Sequence, residues 1–250
     1  MSGAPALSPD EPATSLETRV IRVRDGGSVA AIHDQLRSAI LRGDIPPGEV
    51  RSQVQLASRL GVGRTPLREA LRLLQHEGLV LAESNRRVRI AEFSIPDVEE
   101  LYFIRICLES VAIRATVPLL SPEDFAELEG LMAQMDHYAM SKDFERLDVP
   151  HRVFHSLLVS GLAGRASQIM AEARDQAARY RRAYTQAIPE MWETQRAEHR
   201  GILDAAERSD PQGAAAILVG HFARTARGVI KQLDPDHVPV RLETAVTTLS

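Results

Sequence analysis

Hydrophobic positions along this chain recur mostly three and four residues apart, the spacing that gathers them on one face of an α-helix. Three such stretches, near residues 29–41, 53–60 and 66–77, precede two short strand-like runs at 79–81 and 88–90. After residue 92 only helical patterns follow, near residues 96–118, 121–140, 150–162, 164–187, 189–208 and 211–233. The pattern predicts a mainly α protein in which a small helical and hairpin region precedes an all-helical antiparallel bundle.

The segment 61–80, GVGRTPLREALRLLQHEGLV, joins the second and third predicted helices through a tight turn. Gly61 permits the reversal, Thr65 suits a helix N-cap and Pro66 suits the first helical position. The apolar stripe of the following helix leaves Arg64, Thr65 and Arg68 on the opposite side. Two helices joined by a short turn, with basic residues at the start of the second, indicate a DNA-binding helix-turn-helix.

The two strand-like runs flank the segment 84–87, which places Arg86 and Arg87 at the tip of a hairpin. Such a tip forms a wing that reaches phosphates or the minor groove beside a recognition helix. We therefore predict a winged helix-turn-helix over residues 25–92, in which Arg64, Thr65, Arg68, Arg86 and Arg87 contact double-stranded DNA.

Charge separates the two regions. Residues 1–92 contain 13 Arg, no Lys and 11 acidic residues, a net charge of +2, whereas residues 93–250 carry a net charge of −6. Together they give the −4 of the whole chain. Only the first region suits a polyanion, and its arginines concentrate in the turn, the third helix and the wing.

Composition indicates the cellular compartment in which we expect the protein. The single cysteine, Cys107, excludes an internal disulfide and fits a reducing cytoplasm. No apolar run approaches the roughly 20 residues of a membrane span, and residues 1–24, rich in Pro, Ser, Ala and acids, lack the pattern of a secretory signal. We expect a cytoplasmic protein with no membrane partner, a disordered N-terminal arm over residues 1–24 and a C-terminal tail over residues 234–250.

Four of the eight histidines are spaced as though to meet inside the bundle. His151 and His155 are four residues apart on one helix face. His199 and His221 each lie 11 residues from Asp210, in the turn between the last two predicted helices, so an antiparallel hairpin places them side by side. Neutral imidazoles are favoured ligands of Zn²⁺, Ni²⁺ and related ions. The spacing predicts a divalent transition metal site, with Zn²⁺ first, although each histidine taken alone fits a buried or exposed residue without a metal.

Two sets of motifs resemble a known family. The segments GDIPPGEV and LASRLGVGRTPLREALRLLQHEGLV resemble the DNA-binding domain of the GntR family of bacterial transcription regulators. Residues 96–233 resemble the all-helical, effector-binding FCD domain of its FadR-like subgroup, through ELYFIRICLESVAIRA, HRVFHSLL, AEHRGILDAAERSDPQGAA and GHFART. The resemblance implies a homodimer that reads a short inverted-repeat operator, and most often a repressor that ligand binding releases. Arg51 stands where the family usually has an apolar residue, and it either folds back on the core or adds a DNA contact.

In many FCD domains an Asp and three His bind a metal at the bottom of the ligand pocket, and those positions match His151, His155, His199 and His221. The Asp position is therefore His151 here, so four neutral imidazoles leave the charge of a divalent ion to be balanced by another group. Arg105 matches a ligand-contacting arginine of the family. We expect a small carboxylate effector bound by the metal and Arg105. An ion pair between Arg105 and Glu109, four residues on, is an equal alternative.

Alternative interpretations concern the metal and its surroundings. A metal with an open coordination position could serve an enzyme, but Asp148 and Glu198, the nearest acids, fit a helix start and a surface position, and we expect no enzyme. The metal could instead be the signal itself, or a structural element. The arginine-rich segment 173–184 is interpreted as a solvated helix face, with Arg181 or Arg182 as candidates to enter the pocket.

Overall fold

The computed structural model describes residues 28–187 and 191–250. They divide into two compact units: the first comprises the described residues up to Arg37 together with Glu49–Arg89, and the second comprises Ser38–Gly48 and Ile90–Ser250. The predicted mainly α fold is confirmed. The interpretation of residues 1–24 as a disordered arm lies outside the described residues.

Three helices and three short strands occupy the first part of the described chain, and only helices follow the last strand. In chain order they are α1 (Val29–Arg42), β1 (Val50–Ser52), α2 (Gln53–Leu60), α3 (Arg64–His76), β2 (Val80–Glu83), β3 (Arg87–Ile90), α4 (Ile95–Thr116), α5 (Pro122–Met140), α6 (Phe144–Leu158), α7 (Arg165–Ala187), α8 (Met191–Glu207), α9 (Pro211–Leu233) and α10 (Val240–Leu249), with a 3₁₀ turn at Val117–Leu119.

In the first unit α2 and α3 form the helix-turn-helix. Gly61 ends α2 in the left-handed conformation at φ 68°, as the predicted turn requires. The apolar stripe of α3 is buried as predicted, and its members are Leu67, Ala70, Leu71 and Leu74. The prediction that Thr65 caps α3 was wrong. Gly63 occupies the N-cap position without a side-chain hydrogen bond, so Thr65 lies within the first helical turn.

The sheet of the wing has three strands in the order β1-β3-β2. Sequence patterning missed β1, which pairs antiparallel with β3 so that Arg51 lies opposite Val88. Three residues are too few for alternation to be visible, and Arg51 replaces an expected apolar residue. Its side chain forms an ion pair with Glu49.

The second unit is the helical bundle, whose core is built from α4 to α10. Helix α5 begins with the predicted Ser121 cap, completed by Asp124 as a reciprocal capping box. Helix α6 begins earlier than predicted. Asp143 caps it by accepting a hydrogen bond from the Arg146 backbone N–H, and Pro150, predicted as its start, lies inside it.

The stretch expected as a C-terminal tail contains α10, which packs against α4 and α9. Leu242 and Ala245 are buried there. The bundle therefore has seven helices among the described residues, rather than the predicted six or so. Among those residues, no helix is both long and apolar enough to cross a membrane.

Candidate functional site

The predicted DNA-contacting residues lie on the surface of the first unit. Arg64, Thr65, Arg68, Arg86 and Arg87 are all exposed. Four of them, all but Arg87, line one concavity of about 230 Å³, together with Gln53, Val54 and Leu67. The start of α3, the start of α2 and the tip of the wing thus form one basic surface.

Backbone contacts set the position of the wing tip. Asn85 and Arg86 both have positive φ, 59° and 56°, which is the pattern of a type I′ hairpin turn. The Gln53 backbone N–H donates a 3.0 Å hydrogen bond to the Arg86 carbonyl, so α2 holds the tip. The side chains of Arg64 and Arg86 form no ion pair with any residue that the structure describes. Their charges are available to an external anion.

In the second unit the four predicted histidines meet. His151 and His155 project from α6, His199 from α8 and His221 from α9, and one ring nitrogen from each lies within 4.8 Å of the others. All four are buried, at 6%, 1%, 0% and 2% exposure respectively. The helical and hairpin spacing in the sequence therefore predicted the cluster correctly.

The ring nitrogens of the cluster fit a metal. The Nε2 atoms of His155 and His199 lie 3.2 Å apart, close to the ~3.3 Å expected between two nitrogens bound at about 2.0–2.1 Å to a tetrahedral ion. Among the described residues, His151 Nε2, His155 Nδ1 and His199 Nδ1 have no hydrogen-bond partner. Buried polar atoms normally have a partner, and a cation held by the Nε2 atoms would supply one for His151 Nε2. The Nδ1 atoms of His155 and His199 lie on the far side of their rings and would face away from that cation.

Burial keeps these imidazoles neutral. It lowers the pKa of His151, His155 and His199 well below the ordinary value, and nearby positive charges act in the same direction. The positive neighbours include Arg181 beside His151 and Arg105 beside His155. A neutral imidazole is the form that binds a metal, so the environment favours coordination.

The cluster lies between aromatic rings. Phe154 is 5.2 Å from His199 between ring centroids, and Trp192 is 6.1 Å away. Phe222 is 5.7 Å from His155, and the Arg105 guanidinium lies over the Phe222 ring at 3.9 Å from its centroid. The aromatic surroundings limit water and strengthen electrostatic interactions at the histidines.

Arg105 is buried at 4% exposure and forms the expected ion pair with Glu109. Its Nε donates a 2.8 Å hydrogen bond to the Glu109 carboxylate, which is fully buried. The structural alternative for Arg105 is therefore present. It does not exclude ligand contact, because this bond uses only one of the donor nitrogens of the guanidinium.

The interpretation of the segment 173–184 as a solvated face was wrong for its central residues. Arg179 and Arg181 are each only 7% exposed. Arg181 and Arg182 both donate to Asp148, which precedes His151 by one helical turn, and the Arg182 bond is 2.7 Å long. Burial alone would raise the pKa of Asp148, but these two arginines outweigh it and lower the pKa. Asp148, expected at a helix start, is a buried counter-ion.

Glu198 was expected on the surface and also belongs to the site. Its carboxylate accepts a 2.8 Å hydrogen bond from His221 Nδ1 and another from Arg224. The sequence held one signal for it. The hairpin spacing that pairs His199 with His221 also brings the preceding residue on α8 to nearly the same level.

Three further polar groups near these residues lack partners within the described chain. They are the Tyr102 hydroxyl, the Thr185 hydroxyl and the Gln195 Nε2. Helical spacing relates two of them to the site, since Gln195 precedes His199 by four residues and Thr185 follows Arg181 by four.

Two regions of the chain match known protein families. Residues 29–90 match the family described as bacterial regulatory proteins, gntR family, and residues 100–224 match the FCD domain. The HTH-type transcriptional regulator YdhC of Bacillus subtilis is 29% identical over 192 residues, which are 76% of this chain and 85% of that protein. The HTH-type transcriptional repressor GlaR of Escherichia coli is 27% identical over 195 residues, 75% of this chain and 89% of that protein.

The solved structure of E. coli McbR/YncC has the same fold, with a TM-score of 0.72 at 21% identity. The match covers 82% of this chain and 98% of that chain. These relatives are transcription regulators and not enzymes, which confirms the prediction that the chain is no enzyme. The chain belongs to the GntR family of bacterial regulatory proteins and is a DNA-binding transcriptional regulator of the GntR/FCD type.

Proposed function

We propose that this regulator acts as a homodimer on an inverted-repeat operator and that a small carboxylate, bound at a metal in the helical unit, weakens DNA binding. The observation that carries the proposal is the buried cluster of His151, His155, His199 and His221, in which one ring nitrogen of each residue lies within 4.8 Å of the others. A Zn²⁺ ion, or Ni²⁺ or a related ion, would be held by these four imidazoles and would supply a positive centre for the carboxylate.

At the DNA, Arg64 and Arg68 contact base edges or phosphates, and Thr65 contacts a phosphate. Arg86 and Arg87, in the wing, contact phosphates or the minor groove beside the recognition helix. The concavity lined by Arg64, Thr65, Arg68 and Arg86 supports this assignment, because one segment of the DNA sugar-phosphate backbone could contact all four residues. A two-fold dimer presents two such surfaces to two half-sites. A coupling free energy of about 1–3 kcal/mol between effector and operator would suffice to release DNA.

Charge supports an anionic effector. Arg105 and Arg181 are buried near the histidines, and each already has a carboxylate partner, Glu109 and Asp148. A divalent ion adds positive charge that four neutral imidazoles do not offset. An effector carboxylate is a small group that offsets this charge while reaching Arg105.

The first experiment is elemental analysis of protein purified without chelator or metal-affinity resin. We expect one metal per chain in the wild type and loss of metal in His155→Ala and His199→Ala. Wild-type protein that contains no metal, yet binds operator DNA and a carboxylate in the absence of metal, would overturn the metal site. Its assignment as a transcription regulator would be unaffected.

A second experiment tests Arg105. Replacing Arg105 alone would remove the hydrogen-bond donor of the fully buried Glu109 carboxylate and leave it only Arg174, 3.6 Å away. Arg105→Gln is therefore made in the Glu109→Gln background and compared with Glu109→Gln alone. Calorimetric titration of metal-loaded protein with a panel of small carboxylates should show weaker binding only when Arg105 is replaced. Equal affinities in the two variants would exclude Arg105 as a ligand contact.

The number of histidines in the cluster favours a second function for the metal. Four protein ligands complete a tetrahedral site, as in structural zinc sites, and would leave no position for an effector. The metal would then be the signal or a structural element. Operator affinity measured against free Zn²⁺, without any carboxylate, separates the two, since only a metal sensor responds.

A further inference from the structure

Glu198 joins the last two helices of the histidine cluster. It lies on α8 next to His199, and its side chain is 12% exposed. One carboxylate oxygen accepts the 2.8 Å hydrogen bond from Nδ1 of His221, whose side chain is 3% exposed. The other oxygen accepts from Nε of Arg224, one turn further along α9.

This contact fixes the chemical form of His221. The Glu198 carboxylate accepts the hydrogen bonds from both His221 and Arg224, so Nδ1 of His221 carries a proton. The lone pair of His221 is then on Nε2, the one nitrogen left for the cluster.

The other three histidines lack such support. Within the described residues, Glu198 is the only carboxylate in hydrogen-bond contact with a member of the cluster. His151, His155 and His199 each keep a ring nitrogen without a partner there. Glu198 is therefore, in that part of the chain, the one carboxylate that contacts the cluster directly.

We propose that Glu198 is a positioning residue of the four-histidine site, which orients Nε2 of His221 toward the metal and supplies, through the imidazole, the negative charge that the ligands lack. The inference rests on the proposed function only in requiring that a metal binds. A carboxylate behind a histidine raises the basicity of the ligand and holds its ring orientation.

Arg224 does not cancel this charge. Its side chain is 54% exposed, so water screens it, whereas the bond between Glu198 and His221 is shielded from water. Arg224 acts as the outer tether that keeps the carboxylate facing inward.

The test uses full-length, chelator-treated protein in wild-type, Glu198→Gln and Glu198→Ala forms. Zn²⁺ affinity is measured by competition with a chelator, and the Co²⁺ complex is followed by its visible absorption. Glu198→Gln keeps an acceptor oxygen and removes the charge, and Glu198→Ala removes both. We expect Zn²⁺ affinity to fall about 10–100-fold in Glu198→Gln, further in Glu198→Ala, and the Co²⁺ spectrum to change in both.

The matched control is Glu129→Gln. Glu129 forms a two-bond ion pair with Arg200 of α8, at 2.6 and 2.8 Å, but contacts no histidine of the cluster. It should leave Zn²⁺ affinity and the Co²⁺ spectrum unchanged. Equal Zn²⁺ affinity and spectra in wild type and Glu198→Gln would overturn the positioning role alone, whereas a wild type that binds neither ion would overturn the metal site itself.

A measurement on the wild type keeps the test independent of how the variants fold. In ¹¹³Cd-loaded, ¹⁵N-histidine-labelled protein, the His221 resonance should couple to cadmium through Nε2 and show a protonated Nδ1. Coupling through Nδ1 would contradict the assigned role of Glu198.

Discussion

The two units carry their functional charges in opposite ways. In the first unit the arginines of the predicted DNA surface are exposed, and Arg64 and Arg86 have no ion-pair partner among the described residues. In the second unit Arg105 and Arg181 are buried, and each has a carboxylate. A surface that meets DNA receives its counter-charge from the partner, whereas a buried site has to contain one in the folded chain.

This contrast separates stability from binding. An exposed arginine can be replaced at small cost to folding, because water already solvates it. A buried pair contributes little net stability when intact, yet loss of one partner leaves an unpaired charge in the interior. We therefore expect changes in the first unit to alter DNA affinity and changes in the second to alter the fold as well.

The largest effect is expected for Asp148→Ala. It leaves Arg181 and Arg182 without their shared buried carboxylate, so the free energy of unfolding should fall by about 3–5 kcal/mol in chemical denaturation. Glu129→Ala, which removes an exposed ion pair with Arg200, should cost about 0–1 kcal/mol. Equal costs for the two variants would remove the distinction between buried and exposed charge.

The next effect concerns pH in metal-free protein. The pKa values of His151, His155 and His199 are lowered by burial in the folded state, so the unfolded chain binds more protons below about pH 6.5. Stability is then full above that pH and falls as pH decreases, by about 1.4 kcal/mol per histidine for each pH unit.

Denaturation at pH 7.5, 6.5 and 5.5 checks this slope. His199→Ala removes one of the three groups and should reduce the slope by about a third, whatever its effect at neutral pH. A wild type whose stability is constant from pH 7.5 to 5.5 would show that the histidines titrate normally in the fold.

A smaller effect is expected at the DNA. Arg68→Ala, at an exposed position on α3, should weaken operator binding by about 1–3 kcal/mol and leave the free energy of unfolding within about 0.5 kcal/mol. Fluorescence anisotropy with operator and unrelated DNA separates base reading from phosphate contact, since loss of a phosphate contact weakens both and lowers the salt dependence. Arg72→Ala, on the same helix but outside the concavity, is the control.

The smallest effect is expected for Arg86→Gly at the wing tip. Arg86 has φ 56°, where a side chain is disfavoured and glycine is not, so the first unit should gain up to about 1 kcal/mol of stability. Operator affinity should fall because a wing cation is lost. A variant that gains stability and keeps full DNA affinity would exclude Arg86 from the interface.

Local pattern predicted most elements. Helix α2 spans the predicted residues, α9 begins at Pro211 and ends at Leu233 as expected, and α5 has its Ser121 cap. The errors occurred where local rules compete. Thr65 suits a cap, yet the turn through Gly63 lets α3 begin earlier, and Pro150 suits a helix start, yet Asp143 caps α6 upstream. The strand β1 exists only through its pairing with β3.

The residues of the candidate site also divide into those that local sequence predicted and those that it did not. His151 and His155 share a helix, and His199 and His221 share a hairpin, so helical periodicity and a turn suffice to bring each pair together. The carboxylates were misjudged. The hairpin spacing brings Glu198 level with His221 but does not show that its side chain is shielded, and nothing in the local sequence shows that Asp148 is buried.

The sequence by itself determined most of the helices, the strands β2 and β3 and the two pairs of histidines, since each depends on spacing within one helix or one hairpin. It also determined the basic character of the first unit, which is a matter of composition. Only the tertiary structure decided which charges are buried and what pairs with them. Arg181 meets Asp148 across 33 residues and His221 meets Glu198 across 23, in contacts that exist only after the helices pack. Packing sets the solvent exposure of an ionisable group, and exposure decides whether that group is a surface charge or part of a site.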